Sequence, residues 1–261
     1  GKVYLSISAN STSRALKQAK NVELYEFDGP HPAGNVGVQI NHIKPVNRGE
    51  VVWTLNALNV VLIGRLFKNG TVDLTRTVAL TGSEVKEKGY YKMLIGTELS
   101  SLFKGNVTEG ISLRYISGNP LTGRKIEEDG VLRAYDAQVT VIPEGDDVHE
   151  VLGWASLSPK RYSAGGTYLN LKKRYRMDAR LLGGPRAIIV SNEYDKVFPM
   201  DIFPEQLIKA TLAFNIEKME RLGIYEVAPE DFALCEFVDT SKLELQRIIR
   251  TGLDLLRKEV E

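Results

Sequence analysis

Apolar and polar positions alternate at the start of the chain. The stretches KVYLSIS (residues 2–8) and NVELYEF (21–27) have the alternation and the residue types of strands, and SRALKQAK (13–20) between them has the spacing of a short helix. This β–α–β order predicts a parallel sheet. The apolar run EVVWTLNALNVVLIGRLF (50–67) is typical of a helix or strand buried against such a sheet.

A different pattern starts at residue 75, where short β-rich pieces alternate with glycine-bearing turns as far as QVTVIPEG (138–145). Between them, GTELSSLFKG (96–105) predicts a single short helix, with Thr97 as its N-cap and Gly105 beyond its end. Strands around one helix indicate a small α+β module, for example a β-grasp, at 75–145.

Helical spacing dominates from Pro199 onward. The stretch 203–223 has Pro204 in its first turn and Gly223 after its end. Its predicted apolar stripe consists of Leu207, Ile208, Thr211, Leu212, Asn215 and Met219. The stretch 240–261 opens with Ser241 and Glu244 at capping-box spacing. Its predicted buried face consists of Leu245, Ile248, Ile249, Gly252, Leu253, Leu256 and Val260.

These patterns divide the chain into four segments. With PEDFALCEF (229–237) as a third helix, the last segment, 199–261, is predicted to be a small helical bundle. The segment 146–198 is a basic, glycine-rich connection that is predicted to end in a strand. The fold class is therefore a multidomain mixture of α/β at 1–74, α+β at 75–145 and helices at the end.

Composition narrows the classes of function. The 261 residues carry a net charge of +1, so no overall field attracts nucleic acid or an anionic membrane. Cys235 is the one cysteine, which excludes an internal disulfide and any all-cysteine iron–sulfur or zinc site made by this chain alone. No apolar run reaches the ~20 residues that span a bilayer. The start GKVY, without methionine or a targeting segment, indicates a piece of a longer protein.

The turn GPHPAGNVGVQINHIKPV (29–46) is the most distinctive stretch and has two interpretations. Backbone N–H groups at a helix N-terminus could hold a phosphate or a flavin. Proline and glycine also make ordinary turns without any ligand. Pro30 and Pro32 remove two donors that a cradle would need, and no G-x-G-x-x-G or P-loop motif occurs, so the residues favour a plain turn.

The remaining candidates are individually weak. His31, His42 and His149 are the only histidines and lack metal-ligand spacing. The acidic stretch around His149 has carboxylates that could hold a cation, but a solvated loop is the favoured interpretation. The carboxylates of this acidic stretch are Glu144, Asp146, Asp147 and Glu150.

The basic stretch LKKRYRMDAR (171–180) favours a contact with solvent or with another subunit over binding of nucleic-acid or lipid phosphates. Cys235 lies within an apolar helical pattern, which favours an inert, buried thiol.

Several long strings carry a resemblance to a known family. The turn at 29–46, VVWTLNALNVVLIGRLF, VTVIPEG, VFPMDIFP and EDFALCEFVDTSKLELQRIIRTGLDLLRKEVE resemble, in order, the A subunit of the bacterial sodium-translocating NADH:quinone oxidoreductase (Na+-NQR). The resemblance is to the C-terminal portion of that protein, without an N-terminal segment. It implies part of a Rossmann-like domain at 1–74, a ubiquitin-like (β-grasp) soluble-ligand-binding module at 75–145, strands of 146–198 on the Rossmann-like part, and a helical domain at 199–261.

The same architecture resembles the flavin-bearing, NADH-oxidising subunit of respiratory complex I and the C subunit of the Rnf ion pump. In those relatives an acidic residue follows the glycine of the turn, whereas here Asn35, Val36, Gly37 and Val38 stand there. Those relatives also bind iron–sulfur clusters through several cysteines, whereas here only Cys235 is present, four residues before Asp239. The resemblance therefore implies a scaffold that is retained and redox sites that are lost.

The implied role is a peripheral, itself soluble subunit on the cytoplasmic face of the bacterial inner membrane. The complex would oxidise NADH, reduce quinone and export sodium ions, with its flavins and iron–sulfur centre in other subunits and no cofactor in this chain. The implied partners are the other subunits, especially a membrane-embedded one, together with quinone and without nucleic acid. Nothing in the sequence selects among the candidate quinone or partner contacts, which are His31, Gly34, Asn41, His42 and Trp53.

Two alternatives stay open at this point. One is a stand-alone oxidoreductase that binds flavin or NADH on the scaffold of the complex I flavin subunit, against which the missing acid and cysteines argue. The other is a plain module that binds a small molecule or a cobalamin-like ligand. The absence of histidine between residues 75 and 145 removes one axial ligand for the latter.

Overall fold

A computed structural model describes residues 1–146, 161–172 and 174–260. The chain forms two compact units. The first unit is Gly1–Thr54 together with Pro185–Glu261, and the second is Leu55–Gly184. The two units are defined by contacts within the folded chain. The four segments proposed from the sequence stay a prediction about domain boundaries.

The first unit begins with the predicted β–α–β arrangement. Strands β1 (Tyr4–Ser8) and β2 (Glu23–Phe27) pair in parallel, and the short helix α1 (Arg14–Lys17) connects them. Ser13 caps α1 by accepting from the Leu16 N–H at 3.4 Å. A turn then leads into α2 (Val36–Ile43), whose Val38 packs in the core of the helical part of this unit.

The second unit begins with α3 (Ala57–Asn69). Asn56 caps this helix by accepting from Asn59 N at 2.8 Å, and Gly70 ends it in the left-handed conformation, with φ +68°. No residue of α3 is buried, so the prediction of a buried element at 50–67 is wrong. The parallel β1–β2 sheet against which this run was predicted to pack belongs to the first unit, whereas α3 belongs to the second.

A five-stranded sheet forms the body of the second unit. The elements are β3 (Thr75–Thr81), β4 (Gly89–Leu94), α4 (Ser100–Phe103), β5 (Leu113–Ser117), β6 (Arg124–Ile126) and β7 (Gln138–Pro143). The spatial order of the strands is β4-β3-β7-β5-β6, with β3 and β7 parallel and the other pairs antiparallel. The core lies on one face of this sheet, where Val78, Leu80, Val139 and Val141 pack against Phe103.

The predicted strands and single short helix of 75–145 are therefore present. The N-cap position of α4 is Leu99 and not Thr97, while Gly105 lies beyond the helix end with φ +71°, as predicted. In the described part of the connecting segment, 161–172 and 174–198, the one regular element is a 3₁₀ turn at Tyr194–Lys196, so the predicted terminal strand is not seen.

The helical part of the first unit is built around one apolar core. The predicted single helix over 203–223 is wrong, because Phe214 takes a left-handed φ of +51° and Asn215 caps a new helix by accepting from Lys218 N. The last helix buries Leu245 and Ile249 as predicted. The elements are α5 (Pro204–Leu212), α6 (Ile216–Arg221), 3₁₀ turns at Ile224–Glu226 and Pro229–Phe232, α7 (Ala233–Val238) and α8 (Leu245–Val260).

The start of α8 differs from the predicted capping box. The Ser241 hydroxyl donates to the carbonyl of Ala187 at 3.0 Å, so it does not cap the helix. Instead the Glu236 carboxylate of α7 accepts from Gln246 N at 2.9 Å. Since a carboxylate interacts favourably with the first turn of a helix, α7 supplies the N-terminal partner that Ser241 was predicted to be.

Candidate functional site

The turn before α2 uses its own backbone donors. Ala33 N donates to the carbonyl of Pro30 at 3.0 Å, and Asn35 N donates to that of Pro32 at 2.7 Å. The Gln39 side chain donates to the carbonyl of Ala33 at 3.2 Å and ties the turn to the helix. These donors are therefore committed to the turn and do not point at a ligand.

An acidic side chain from elsewhere in the chain lies at the first turn of α2. Asp231, in the 3₁₀ turn Pro229–Phe232, is 2% exposed and packs against Gly37. A Cβ built on residue 37 would overlap the carboxylate, so the close approach depends on glycine. The Asp231 Oδ2 atom also accepts from Ala228 N at 2.8 Å. The carboxylate therefore lies against the first turn of α2 at Gly37.

Burial governs the chemistry of this carboxyl group. The pKa of Asp231 is raised to about 6, chiefly by desolvation, with the hydrogen bond from Ala228 N lowering it and the neighbouring Glu230 raising it. The charged form is thus disfavoured in its buried position, although the helix N-terminus favours a negative charge.

Two further contacts hold α2 to the same region. The Asn41 amide donates to Glu226 Oε2 at 2.9 Å. The His42 Nε2 lies 2.8 Å from the carbonyl oxygen of Pro199, so this nitrogen carries the hydrogen. The helix is therefore anchored along one side by groups from residues 199–231, and the site is a junction between α2 and the helical part of the unit.

The structure places the five predicted contact residues differently. Asn41 and His42 are committed to the junction, whereas His31 and Gly34 are exposed in the turn. Trp53 is 92% exposed and lies outside any helix or strand. As quinone or partner contacts, these five residues stay a prediction.

Sequence reasoning missed Glu226, Asp231 and the carbonyl of Pro199. The segment PED at 229–231 has proline at a first helical position and acids after it, which is a signal for a helix start. That signal shows nothing about Gly37, which lies far earlier in the chain. Only the folded structure brings the two together.

The thiol of Cys235 is buried in the helical core. Burial raises its pKa to about 12, so it is a neutral thiol at physiological pH, in agreement with the predicted inert role. Asp239, the acid four residues on, accepts from the Tyr194 hydroxyl and from the N–H groups of Ser241 and Leu243. Both side chains are thus part of the packed interior.

The predicted acidic cation site lies partly outside the described residues, because His149, Asp147 and Glu150 fall there. Glu144 accepts from both Arg114 Nε and Arg114 Nη2, at 2.9 and 2.6 Å, which holds its pKa at about 2. Among residues 1–146, 161–172 and 174–260, no group of three or more His, Cys, Asp or Glu side chains could hold a metal ion.

The basic stretch 171–180 makes internal ion pairs, with Lys173 outside the described residues. Arg176 contacts the buried Glu84 through two bonds of 2.6 and 2.7 Å. Arg180 contacts Asp178 through Nε and Nη2. These two arginines therefore serve the packing of the second unit.

Comparison with known proteins decides the family. The family model described as "NqrA second alpha/beta domain" matches residues 1–72, and the one described as "NQRA C-terminal domain" matches residues 77–128. A Pasteurella multocida protein, named as the A subunit of a Na(+)-translocating NADH-quinone reductase, is 37% identical over 262 residues, which cover 99% of this chain. The chain belongs to the NqrA family.

Other relatives with the same name give the same result. The identity is 36% over 93% of the chain for Neisseria meningitidis strain FAM18 and 35% over 99% of the chain for Vibrio anguillarum. The NqrA chain spans 58%, 55% and 58% of the Pasteurella, Neisseria and Vibrio proteins. The homologues are thus named as one subunit of an oxidoreductase complex, and the chain matches over half of that subunit's length.

The helices of this NqrA chain are short or amphipathic. In the part of the chain that the structure describes, no helix combines the length and the apolar character needed to cross a bilayer.

Proposed function

We propose that the chain is part of the A subunit of a sodium-translocating NADH–quinone reductase and acts there as a docking scaffold without a redox cofactor of its own. The observation that carries this proposal is the 37% identity over 99% of the chain to a protein of that name. The complex would couple NADH oxidation and quinone reduction to sodium export. Its flavins and iron–sulfur centre would lie in other subunits.

The geometry of the α2 junction supports the scaffold role. A flavin or NADH phosphate at this turn would need free N–H donors, and two of them are bonded within the turn. Asp231 packs against Gly37 at the helix start, and its carboxylate, ionised above its pKa of about 6, would repel a phosphate. The buried, neutral Cys235 likewise offers no thiolate ligand.

The fold supports the domain assignment that belongs to this proposal. The parallel pair β1–β2 with its connecting helix agrees with a partial Rossmann-like domain. Two hairpins around a parallel β3–β7 pair, with α4 against one face, agree with a β-grasp module. The helices from α5 onward share one core and agree with a helical domain.

The partners and the location belong to the proposal as well. The chain would bind the other subunits of the reductase, especially a membrane-embedded one, at the cytoplasmic face of the bacterial inner membrane. Quinone contact is part of the proposed role, and nucleic acid is not.

A binding experiment tests the scaffold role. Tagged chain is immobilised and exposed to detergent-solubilised reductase from which the A subunit has been removed. We expect the remaining subunits to be retained, and the isolated chain to be colourless and unable to oxidise NADH. Failure to retain any of them would contradict the proposal, and flavin absorbance in the purified chain would favour the stand-alone flavin- or NADH-binding alternative.

A further inference from the structure

One side of α3 is exposed along its length. Leu58 and Val61 line a cleft between this helix and the β3–β4 hairpin, so they mark the side that faces the body of the second unit. An α-helix has about 3.6 residues per turn, which places Val60, Ile63 and Phe67 on the opposite side. These three side chains, which we call the outer stripe, are 53%, 46% and 85% exposed. The helix therefore presents an apolar stripe to its surroundings.

The outer stripe has the character of a binding surface. Its spacing, i, i+3 and i+7, is the spacing by which an amphipathic helix covers an apolar partner. None of its three residues carries a hydrogen-bonding side chain. A contiguous apolar surface left in water is unfavourable and marks a site of protein or membrane contact. Charge and polarity around the stripe distinguish between these two kinds of partner.

The charged groups near the outer stripe are mainly basic. Residues 55–72 contain Arg65 and Lys68 and no acidic residue. Arg65 forms an ion pair with Asp73 at 3.3 Å, whereas Lys68 is exposed in the last turn of α3. Lys92 of β4 is also exposed and lines the cleft beside the helix. The whole chain has a net charge of only +1, so this excess of positive charge is local.

An exposed aromatic ring accompanies the basic groups on the hairpin. Tyr90 is 83% exposed and stands two residues before Lys92, on the same face of β4. Tyrosine combines an apolar ring with a polar hydroxyl, which suits the boundary between lipid headgroups and acyl chains. Lysine similarly lays an apolar stem along apolar surface and keeps its charge in water. Apolar, aromatic and basic side chains thus occur together on the part of the second unit formed by α3 and the β3–β4 hairpin.

We infer that the outer stripe of α3 inserts into the surface of an anionic lipid bilayer. Val60, Ile63 and Phe67 would enter the boundary between headgroups and acyl chains, while Lys68 and Lys92 would contact lipid phosphates. Protein interfaces ordinarily contain several hydrogen bonds, which the stripe cannot supply, whereas a bilayer requires none. The helix of 13 residues is about 20 Å long and would lie on the membrane without crossing it.

The test is flotation of the full chain with lipid vesicles through a sucrose gradient. Vesicles of phosphatidylcholine mixed with phosphatidylglycerol are compared with vesicles of phosphatidylcholine alone. We expect the chain to float with the anionic vesicles and to remain in the dense fraction with the neutral ones. Raising the salt concentration should release part of the bound protein, since salt screens the attraction between the lysines and the lipid phosphates.

Matched variants locate the contact. Phe67→Ser should weaken binding at least about tenfold, since an aromatic side chain no longer enters the lipid. Phe203→Ser makes the same change at an aromatic residue of the first unit that is 67% exposed, and it should leave binding unchanged. Lys68→Gln should weaken binding about fivefold, whereas Lys258→Gln, at an exposed position of α8, should leave it unchanged. Because Phe67 and Lys68 are exposed, both variants should fold like the parent, which circular dichroism checks.

Absence of binding to the anionic vesicles would overturn the inference. Equal loss of binding in Phe67→Ser and Phe203→Ser would also overturn it, because the contact would then lie elsewhere. Equal flotation with neutral vesicles would overturn the role of charge. If the chain does not float but retains the other reductase subunits, and Phe67→Ser abolishes that retention, the occupant of the stripe is a protein and not lipid. The inference concerns lipid and goes beyond the proposed function, so retention of the subunits without flotation removes the lipid contact and leaves the scaffold role in place.

Discussion

Asp231 packs against the backbone of Gly37, and the contact leaves no space for a Cβ on residue 37. It joins the first turn of α2 to a 3₁₀ turn near the end of the chain. Because Asp231 is 2% exposed, neither its carboxylate nor the helix can shift without disturbing the core that contains Val38 and Phe232.

Gly37→Ala is therefore expected to lower the free energy of unfolding of the first unit by about 1–3 kcal/mol, the usual cost of overpacking. Chemical denaturation followed by a probe in this unit measures the change. Gly34→Ala is the matched control, because no atom lies within 4 Å of a Cβ at residue 34. Equal stability of the two variants would show that the Gly37–Asp231 contact has no energetic importance.

The buried carboxyl group gives the first unit a pH dependence. The pKa of Asp231 is raised to about 6, above its unfolded value, so its stabilising contribution is full below about pH 4 and is lost as the pH rises through about 6. Asp231→Asn cannot ionise and keeps an oxygen that accepts from Ala228 N.

The Asp231→Asn variant should therefore match the parent near pH 4 and exceed it at pH 7.5 by at most about 3 kcal/mol. Unfolding free energies of both proteins across this range measure the difference. Parallel pH profiles would mean that Asp231 titrates normally in the folded state.

Two helical glycines should respond in opposite directions to alanine. A Cβ on Gly252 in α8 would overlap the side chains of Thr211 and Met219, so Gly252→Ala should destabilise the first unit by about 1–3 kcal/mol. A Cβ on Gly64 in α3 would meet no atom within 4 Å, so Gly64→Ala should stabilise the helix by about 0.5–1 kcal/mol. Circular dichroism during denaturation distinguishes them, and a loss of stability in Gly64→Ala would show that α3 packs more closely than described.

The ion pair between Glu84 and Arg176 should stabilise the second unit. Arg176→Ala would leave the Glu84 carboxylate, 2% exposed, without two hydrogen bonds and should cost about 1–3 kcal/mol. Arg174→Ala, at an exposed position nearby, should cost less than about 0.5 kcal/mol. Hydrogen exchange of the β3 amides measures the loss of stability in each variant. Equal protection in the two variants would contradict a stabilising role of the Glu84–Arg176 ion pair.

Local pattern was sufficient for the strands β1 and β2 and for the buried face of α8. The alternation in β1 and β2 predicted two strands, and the spacing of Leu245, Ile249 and Leu256 predicted a helix face that is buried in α8. In α8 the periodicity of the sequence and the packing surface agree, whereas β2 is exposed over most of its length.

Local pattern was insufficient where the structure depends on caps or on contacts between residues far apart in the chain. The predicted continuous helix is broken at Phe214, because Asn215 caps a new helix. The spacing of the apolar residues does not show this break. The run 50–67 is apolar on all sides of its helix, so its periodicity cannot show which side packs. The Gly37–Asp231 contact depends on tertiary structure alone.

The most direct test of the account is an NMR titration of the ¹⁵N-labelled chain with NADH and, separately, with flavin mononucleotide, observing residues 29–43. Under the proposed function, Asp231 and the internal hydrogen bonds of the turn leave no dinucleotide or flavin site there. No saturable shifts are therefore expected in this stretch with either compound. Saturable shifts around Asn35, Gly37 and Val38 would contradict this expectation and would make the turn a cofactor site.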